Sequence, residues 1–550
     1  MNKMYKNSLF LLAAAAMVVA CADYNVTDDF KADPDPTFVE PYKDYATVKS
    51  YIDRGTYPNM SLGAQLKVSE FNKQELAHAA AVTNFDNYSF GTTLMSGAIV
   101  NGKGVMNFLD MKDLLDHVEE IGGEVFGSPI VANANQADEW LEKLTAPIEI
   151  QVDYVEGKYV NYNDSTIFNG TVEKGTNVGI AKYDGQNTLK IGTLCNVRII
   201  EGFDVDPKAK YTTTFYAKAD KDATFNITFS GNKVNGSGTD GKWTFKADRW
   251  TKIVVEAQSA ADATEGYLTI ENTRSTVIYI REVQVGYYPD NHRQQTAQEK
   301  SDTINYALNA WCDGLMKINQ GRITSFDLID EAIDTKAELE NGLYDLKHSD
   351  EKIFWQDILG SENYAPLVSK VASTAFKTHG GDLEKLRFFI SESGLDEPKK
   401  FESLKYWIGI WDQNGAQIDG INAKLNLTYS EDADTQKANE AALQTLLNNL
   451  KSTGKLIRLS NFDIKYQNAD GLPVTAKEIT SEQRQKLANY YSHVIQSYMS
   501  LIDRDKQAGI CKGNMLDTTD PVGLWAQNAD TKDWVRTATY KAFCDALKGK

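Results

Sequence analysis

Two hydrophobic patterns alternate along the chain. Over residues 42–147, short apolar runs alternate with amphipathic helices, and the run at 124–131 reads as a strand. The same rhythm returns over 289–550, where 323–329 reads as a buried strand. This strand–helix alternation predicts one parallel α/β domain in two segments. Two of its helices are marked by apolar residues at helical spacing: Met111, Leu114, Leu115, Val118 and Ile121 in the first segment, and Leu487, Tyr490, Tyr491, Val494 and Tyr498 in the second.

The segment 148–288 has a different pattern. Phe225, Ile227 and Phe229 alternate with polar residues, and the run 277–285 is rich in β-branched residues. Clusters of Gly, Asn and Asp separate such runs at short intervals, which is typical of an all-β sandwich. An insertion at a loop is tolerated when its ends lie close together. We therefore interpret 148–288 as a β-sandwich domain inserted into the α/β domain.

The first 41 residues have the pattern of a targeting segment and a tether. Lys3 and Lys6 give a positive start, and an apolar run then ends at Cys21. The run is too short to span a bilayer as a mature helix, and no later segment is apolar enough to do so. We predict that 1–21 is a lipoprotein signal peptide whose Cys21 carries the lipid, and that 22–41 is a tether rich in Asp and Pro. An ordinary secretory signal with an incidental Cys21 is the alternative.

Composition narrows the class of partner. The 550 residues carry a formal net charge of −18, which argues against nucleic acid and an anionic membrane surface, because phosphate binding needs a basic face. We therefore expect the membrane to be contacted through the N-terminal lipid only. None of the five cysteines forms a CxxC pair, and the six histidines form no HExxH motif. Neither a metal site nor a cofactor is predicted.

The segment 326–333 carries a family resemblance. It reads F-D-L-I-D-E-A-I and resembles the W-D-V-V-N-E-A-I motif of glycoside hydrolase family 10, the xylanase family, in which it forms the fourth barrel strand. Glu331 matches the Glu that acts there as general acid/base. Four more segments resemble the motifs of strands three, five, six and seven, in the family's order: 127–133, 389–395, 418–427 and 459–464.

The resemblance implies a (β/α)8 TIM barrel interrupted by the sandwich. Residues 42–147 would supply strands one to three, and 289–550 strands four to eight, with the site at the carboxyl ends of the strands. Gut-bacterial members of the family can carry carbohydrate-binding modules inserted after strand three. The segments 211–219 and 279–283 look like parts of such a module. The same architecture implies a Gram-negative cell envelope, so we expect a surface-exposed outer-membrane protein.

The residues at the family's catalytic positions have changed. A retaining glycosidase needs two carboxyl groups roughly 5–5.5 Å apart. Glu331 keeps the acid/base position, but Asn461 stands where the family has its nucleophilic Glu, in L-S-N-F-D-I against I-T-E-L-D-I. An amide has no anionic oxygen with which to attack the anomeric carbon. Asp463 is also Asp in the family motif, so it does not compensate for the loss.

Other sugar-contacting positions of the family also differ here. Ser128 and Asn133 stand at the strand-three histidines, Lys424 and Asn426 at the strand-six Gln and His, and Asp330 at the Asn before the acid/base. In the insert, we expect Trp243, which follows the glycine-rich loop 236–241, to be an exposed sugar platform, and Trp250 to be core. The candidate carbohydrate-binding residues are therefore Trp243, Asn133, Asp330, Lys424 and Asn426; further insert candidates are Tyr154, Tyr159, Tyr162 and Tyr183.

These observations predict a surface lipoprotein that binds plant polysaccharide, xylan above all, and is largely non-catalytic. Other outer-membrane glycan-uptake proteins are further expected partners. An active or weakly active endo-1,4-β-xylanase that uses Glu331 is the first alternative. A structural or assembly lipoprotein, whose barrel is only a scaffold, is the second, because a fold does not fix a function.

Overall fold

The computed structural model describes residues 42–548. The predicted signal peptide, Cys21 and the predicted tether lie outside them. The chain divides into two compact units: the residues up to Thr145 together with those from Thr296 onward, and the stretch Ala146–Gln295 between them. The insert thus extends a few residues beyond 148–288, because Ile148–Glu149 pairs with His292–Arg293.

The first unit is a closed barrel of eight parallel strands, so the predicted fold class is confirmed. Each strand pairs in parallel with the next along the chain, and the last pairs with the first to close the ring. The strands are β1 (Ser61–Gln65), β2 (Asn87–Ser89), β3 (Glu124–Gly127), β4 (Ser325–Asp330), β5 (Arg387–Ser393), β6 (Gly420–Lys424), β7 (Leu456–Phe462) and β8 (Gln507–Lys512).

A helix follows each strand. Sequence signals set their ends: α3 begins at a capping box of Thr296 and Glu299, and α5 begins with Pro398 next to the capping carboxylate of Glu397. The two helices predicted from apolar spacing correspond to α2 and α7. The eight are α1 (Leu76–Asn84), α2 (Leu109–Glu120), α3 (Ala297–Asn319), α4 (Tyr364–Thr378), α5 (Pro398–Gln413), α6 (Ala433–Ser452), α7 (Ser481–Leu501) and α8 (Ala538–Leu547).

Short elements extend the loops at the carboxyl ends of the strands, where a barrel of this kind places its site. A hairpin of Ile333–Glu338 and Tyr344–Leu346 follows β4. Leu427–Ser430, after β6, pairs in parallel with Ile464–Gln467, after β7. The remaining short pieces in these loops are Val68–Asn72, Ser96–Ile99, Val131–Ala132, Asp138–Thr145, Trp355–Leu359, Trp525–Gln527 and Trp534–Arg536.

The second unit, inserted in the chain between β3 and α3, consists of two antiparallel sheets of six strands each. Their inward residues form a separate apolar core, in which Tyr211 of one sheet lies against Phe229 of the other with ring centroids 5.1 Å apart. One sheet contains Val172–Lys174, Cys195–Phe203, Ala223–Phe229, Asn232–Val234, Trp243–Phe245 and Gly266–Asn272; the other contains Val155–Asn161, Val178–Tyr183, Gln186–Ile191, Lys210–Ala219, Thr251–Ala257 and Ile278–Tyr288.

Within residues 42–548, no helix combines the length and the apolar character needed to cross a membrane.

Candidate functional site

Glu331 occupies a turn at the carboxyl end of β4. Its φ angle is +49°, a left-handed conformation that is uncommon for a residue with a side chain and often marks a functional position. Its backbone N–H donates to the carbonyl of Ser391, 2.9 Å away on β5. The turn therefore joins the residue after β4 to the neighbouring strand.

Two lysines and a serine surround the Glu331 carboxylate. Lys424 at the end of β6 places its Nζ 3.4 Å from Glu331 Oε1, and it also forms an ion pair with Asp330. Lys400 from the first turns of α5 lies 3.8 Å from Glu331 Oε2. The hydroxyl of Ser393 donates to the same oxygen at 3.1 Å. These contacts come from three different elements, β5, α5 and β6, and favour the ionised carboxylate.

Glu392 of β5 is the second carboxyl group at this place. Its side chain is 0% exposed, and its Oε1 lies 2.7 Å from Lys400 Nζ. Burial raises the pKa of Glu392 to about 8, helped by its hydrogen bond to Glu331 and by the charge of that residue, and only partly offset by Lys400. Burial also acts to raise the pKa of Glu331. That effect is outweighed by the hydrogen bond from Glu392 and by Lys424, Lys400 and Ser393, so the pKa falls to about 2.

The two carboxyl groups are therefore coupled: burial favours a proton on Glu392, whereas Lys424, Lys400 and Ser393 favour the anion of Glu331. A general acid must carry a proton at the working pH, which glycosidases achieve by raising the pKa of the acid. The surroundings of Glu331 lower its pKa instead. Glu331 is consequently placed to accept hydrogen bonds.

Asn461 is the last residue but one of β7. It also has a left-handed backbone, with φ of +52°, a conformation that Asn tolerates better than most residues. The side chain is exposed and lines the clefts described below. Its neutral amide can donate and accept hydrogen bonds but cannot form a glycosyl ester.

Asp463, two residues further on, is fully engaged. It forms an ion pair with Lys512, a buried residue at the end of β8. It also accepts hydrogen bonds from Asn514, from the backbone N–H at 3.1 Å and from the side-chain amide at 2.5 Å. These contacts tie the loops after β7 and β8 together, so Asp463 has a structural role.

A network of buried polar side chains links the barrel strands next to these residues. Arg458 is only 2% exposed; it donates to Asn422 Oδ1 at 3.3 Å and to Ser89 Oγ at 2.9 Å, and its guanidinium lies 3.9 Å from the centre of the Phe126 ring. Asn422, which stands at a Gly of the family's strand-six motif, donates to both carboxylate oxygens of Asp327 at 3.1 and 3.0 Å.

Asp327 titrates unusually because of its place in this network. Burial and the nearby charge of Asp330 raise its pKa to about 7, while Arg458, Asn422 and Lys424 act in the opposite direction. The floor of the site is therefore built from polar groups that hydrogen-bond to one another, although the buried Nε of Arg458 has no hydrogen-bond partner in the described chain.

Three clefts lie at the carboxyl ends of the strands. A central cleft of about 210 Å³ and an outer cleft of about 620 Å³ adjoin each other through shared residues, among them Gln65, Thr92 and Asn461. A side cleft of about 310 Å³ shares Lys424 with the central one. The polar groups of the central lining include hydroxyls, amides and charged side chains: Ser128, Asp330, Asn422, Lys424, Arg458 and Asn461.

The predicted binding residues fall in different places. Asp330 and Lys424 are paired and line the central cleft together with Asn461, whereas Asn426 lines the side cleft. Asn133 is half-buried just after Val131–Ala132 and lines none of the three clefts.

The two insert tryptophans also differ from expectation. The indole N–H of Trp243 donates to the Val234 carbonyl at 3.2 Å, and the half-buried ring packs against the sandwich core, so it is not a free platform. Trp250, expected in the core, lies outside it, immediately before the strand Thr251–Ala257.

Sequence reasoning missed Glu392, Lys400, Asp327 and Arg458. The available signal was charge inside apolar strand runs, as with Arg458 in L-I-R-L-S-N-F, because a buried charge is rare unless paired. Among residues 42–548, no group of three or more His, Cys, Asp or Glu side chains is placed to hold a metal ion.

The sequence-family model of Glycosyl hydrolase family 10 matches residues 286–533, which contain β4 to β8. Among solved structures, xylanase 10C from Cellvibrio japonicus is 10% identical with a TM-score of 0.52, covering 94% of this chain and 75% of its own. Xylanase B from Clostridium stercorarium F9 is 11% identical with a TM-score of 0.50, covering 91% of this chain and 100% of its own. No curated protein sequence matches the chain. At these identities the structures show a shared fold, and the family model matches the segment of the chain that holds β4 to β8.

Proposed function

We propose that this protein captures plant polysaccharide, xylan above all, and does not hydrolyse it. The observation that carries the proposal is the pair of changes at the positions that match the family's catalytic residues: an amide at Asn461, and a carboxylate at Glu331 whose pKa is lowered by the hydrogen bond from Glu392 and by Lys424 and Lys400.

A retaining mechanism needs a nucleophile and a protonated acid, and this site is poorly equipped with both. The first step requires a nucleophile on one face of the sugar and a protonated acid beside the leaving oxygen. Asn461 supplies no nucleophile, and the lowered pKa of Glu331 disfavours the protonated form that an acid needs. Because such residues act as a unit, losing one of them already costs several orders of magnitude in rate.

The groups that line the central cleft are suited to binding a sugar. Hydrogen bonds through Asn422 and the ion pair between Asp330 and Lys424 hold the polar groups of the central cleft in place, so few side chains need to be ordered when a sugar binds. Ionised Glu331 and the amide of Asn461 can accept and donate hydrogen bonds to sugar hydroxyls.

Xylan is proposed because the similar structures are named as xylanases. Lipidation at Cys21, followed by the tether, would hold the protein at the cell envelope, which we take to be the outer surface. There it would pass bound polymer to other glycan-uptake proteins of the same membrane.

The proposal is tested by affinity electrophoresis of the mature protein through gels with and without xylan. We expect retardation by xylan, and weaker retardation of a Lys424→Met variant, which loses a cation of the central cleft. Lys385→Met is the matched control, because Lys385 is exposed and precedes β5 at the opposite end of the barrel. Passage of the wild-type protein unretarded through xylan and other plant polysaccharides would refute the proposal.

A further inference from the structure

The outward face of one insert sheet carries a cation held between two aromatic rings. Along Lys210–Ala219 buried and less buried residues alternate, so Tyr216 faces outward while Phe215 and Ala217 face the core. The guanidinium carbon of Arg281 lies 5.1 Å from the centre of the Tyr216 ring and 4.6 Å from that of Trp250. We call these three residues the Arg281 cluster.

Arg281 has no anionic partner. Its Nε is buried and makes no hydrogen bond within the described chain, and Arg281 forms no ion pair there. Asp184, the carboxylate that contacts the Trp250 indole, is already used: it accepts from that indole at 3.2 Å and pairs with Lys218 at 3.1 Å. The two Nη groups of Arg281 also make no hydrogen bond within the described chain and are not buried, so they are the donors that a ligand can reach.

The surrounding face adds positive charge. In the strand register Lys252 lies opposite Tyr216, and Lys190 lies opposite Tyr279. Lys218 is neutralised by Asp184, but Arg281, Lys252 and Lys190 form no ion pair within the described chain. Unpaired cations beside two aromatic rings favour an anionic ligand.

We propose that the Arg281 cluster binds a uronic acid residue of a polysaccharide. The carboxylate would take the guanidinium donors in the two-pronged geometry that arginine favours, and the apolar face of the sugar ring would lie against Trp250 or Tyr216. This inference rests on the proposed function and assigns the insert an acidic-sugar specificity. Tyr183 is not available as such a platform, because it stacks on Tyr279 with centroids 3.8 Å apart.

The test is isothermal titration of the full mature chain with a glucuronate-bearing xylan, and with the same xylan after its carboxyl groups are reduced to alcohols. We expect the acidic polymer to bind about tenfold more tightly, the effect of one charge-assisted pair, and the difference to shrink as salt is added. Arg281→Gln and Lys252→Glu should each remove most of this preference. Lys233→Gln, which removes an exposed cation from the other sheet, should keep it.

Lys252 is exposed, so its variant reports on charge even if Arg281→Gln does not fold. Equal binding of the two polymers, or a preference that both variants retain, would overturn the inference and leave polysaccharide capture intact. Binding of neither polymer would overturn both proposals.

Discussion

The ammonium group of Lys424 lies 3.4 Å from Glu331 Oε1, at the position where the family motif of strand six has a glutamine. A glutamine at this place would remove one of the two cations that face the carboxyl group. A lysine stabilises the anion, and Lys400 adds to the effect from the other side. The carboxyl group at the position of the family's acid/base residue is thus retained, but its pKa is lowered by its surroundings.

Restoring the nucleophile alone should not restore hydrolysis. Asn461→Glu supplies the missing carboxylate, but Glu331 stays ionised beside Lys424. We expect Asn461→Glu to remain nearly inactive on an aryl xylobioside, and Asn461→Glu with Lys424→Gln to be about tenfold faster for each unit by which the pKa of Glu331 rises. Equal rates for the single and double variants would contradict this role of Lys424.

The Glu331–Glu392 pair predicts a particular dependence of stability on pH. Glu392 has its pKa raised from 4.5 to about 8, so its contribution is present at low pH and is lost as pH rises through that window. Glu331 has its pKa lowered to about 2, so its contribution is present above 4.5 and is lost as pH falls towards 2.

Replacing Glu392 by Gln removes the part of the pH dependence of stability that comes from Glu392. The amide resembles the protonated carboxyl group and does not ionise. We expect the melting temperature of Glu392→Gln, relative to wild type, to increase steadily from pH 4.5 to 8, as measured by circular dichroism. Parallel curves for the two proteins would show that Glu392 does not hold the proton. Glu362→Gln, an exposed change in the α4 region, serves as control.

Arg458 should be essential for the floor of the central cleft. Arg458→Met removes the donors to Asn422 and Ser89 and the contact with Phe126. We expect a loss of about 3 kcal/mol in the free energy of unfolding, typical of a buried charge network that loses one member. Urea denaturation followed by fluorescence measures it. Arg249→Met, at an exposed position, should change stability by less than about 0.5 kcal/mol. Similar values for the two variants would argue against the network.

Lipidation at Cys21 remains a prediction from the sequence. In a Gram-negative host, the wild-type protein should partition into the detergent phase and incorporate labelled fatty acid. Cys21→Ser should do neither, because it lacks the thiol that is acylated. Membrane association of Cys21→Ser equal to that of wild type would favour another mode of attachment.

Periodicity and motif order were enough to predict the barrel and the presence of an inserted sandwich. Local patterns report which residues share a strand or a helix, and β4 and β7 carry their motifs within a few consecutive residues. The charge network was not predictable in the same way. Glu331, Glu392, Lys400 and Lys424 come from four elements, and only closure of the barrel brings them together.

The two insert tryptophans show a second limit of prediction from the sequence. Periodicity indicates which face of a strand a residue occupies, but not what covers it. Trp243 follows a glycine-rich loop yet packs on the sandwich core, whereas Trp250 lies at the start of an alternating strand and contacts Arg281 on the outward face.

The most direct test of the central claim measures binding and cleavage in one sample. Mature protein is titrated with xylohexaose in a calorimeter, and the cell contents are then incubated and analysed for shorter oligosaccharides by mass spectrometry. Capture without hydrolysis predicts heat of binding and intact xylohexaose. Shorter products that disappear in a Glu331→Gln variant would contradict it, because Glu331 would then be acting as an acid despite Lys424 and without a carboxylate at Asn461.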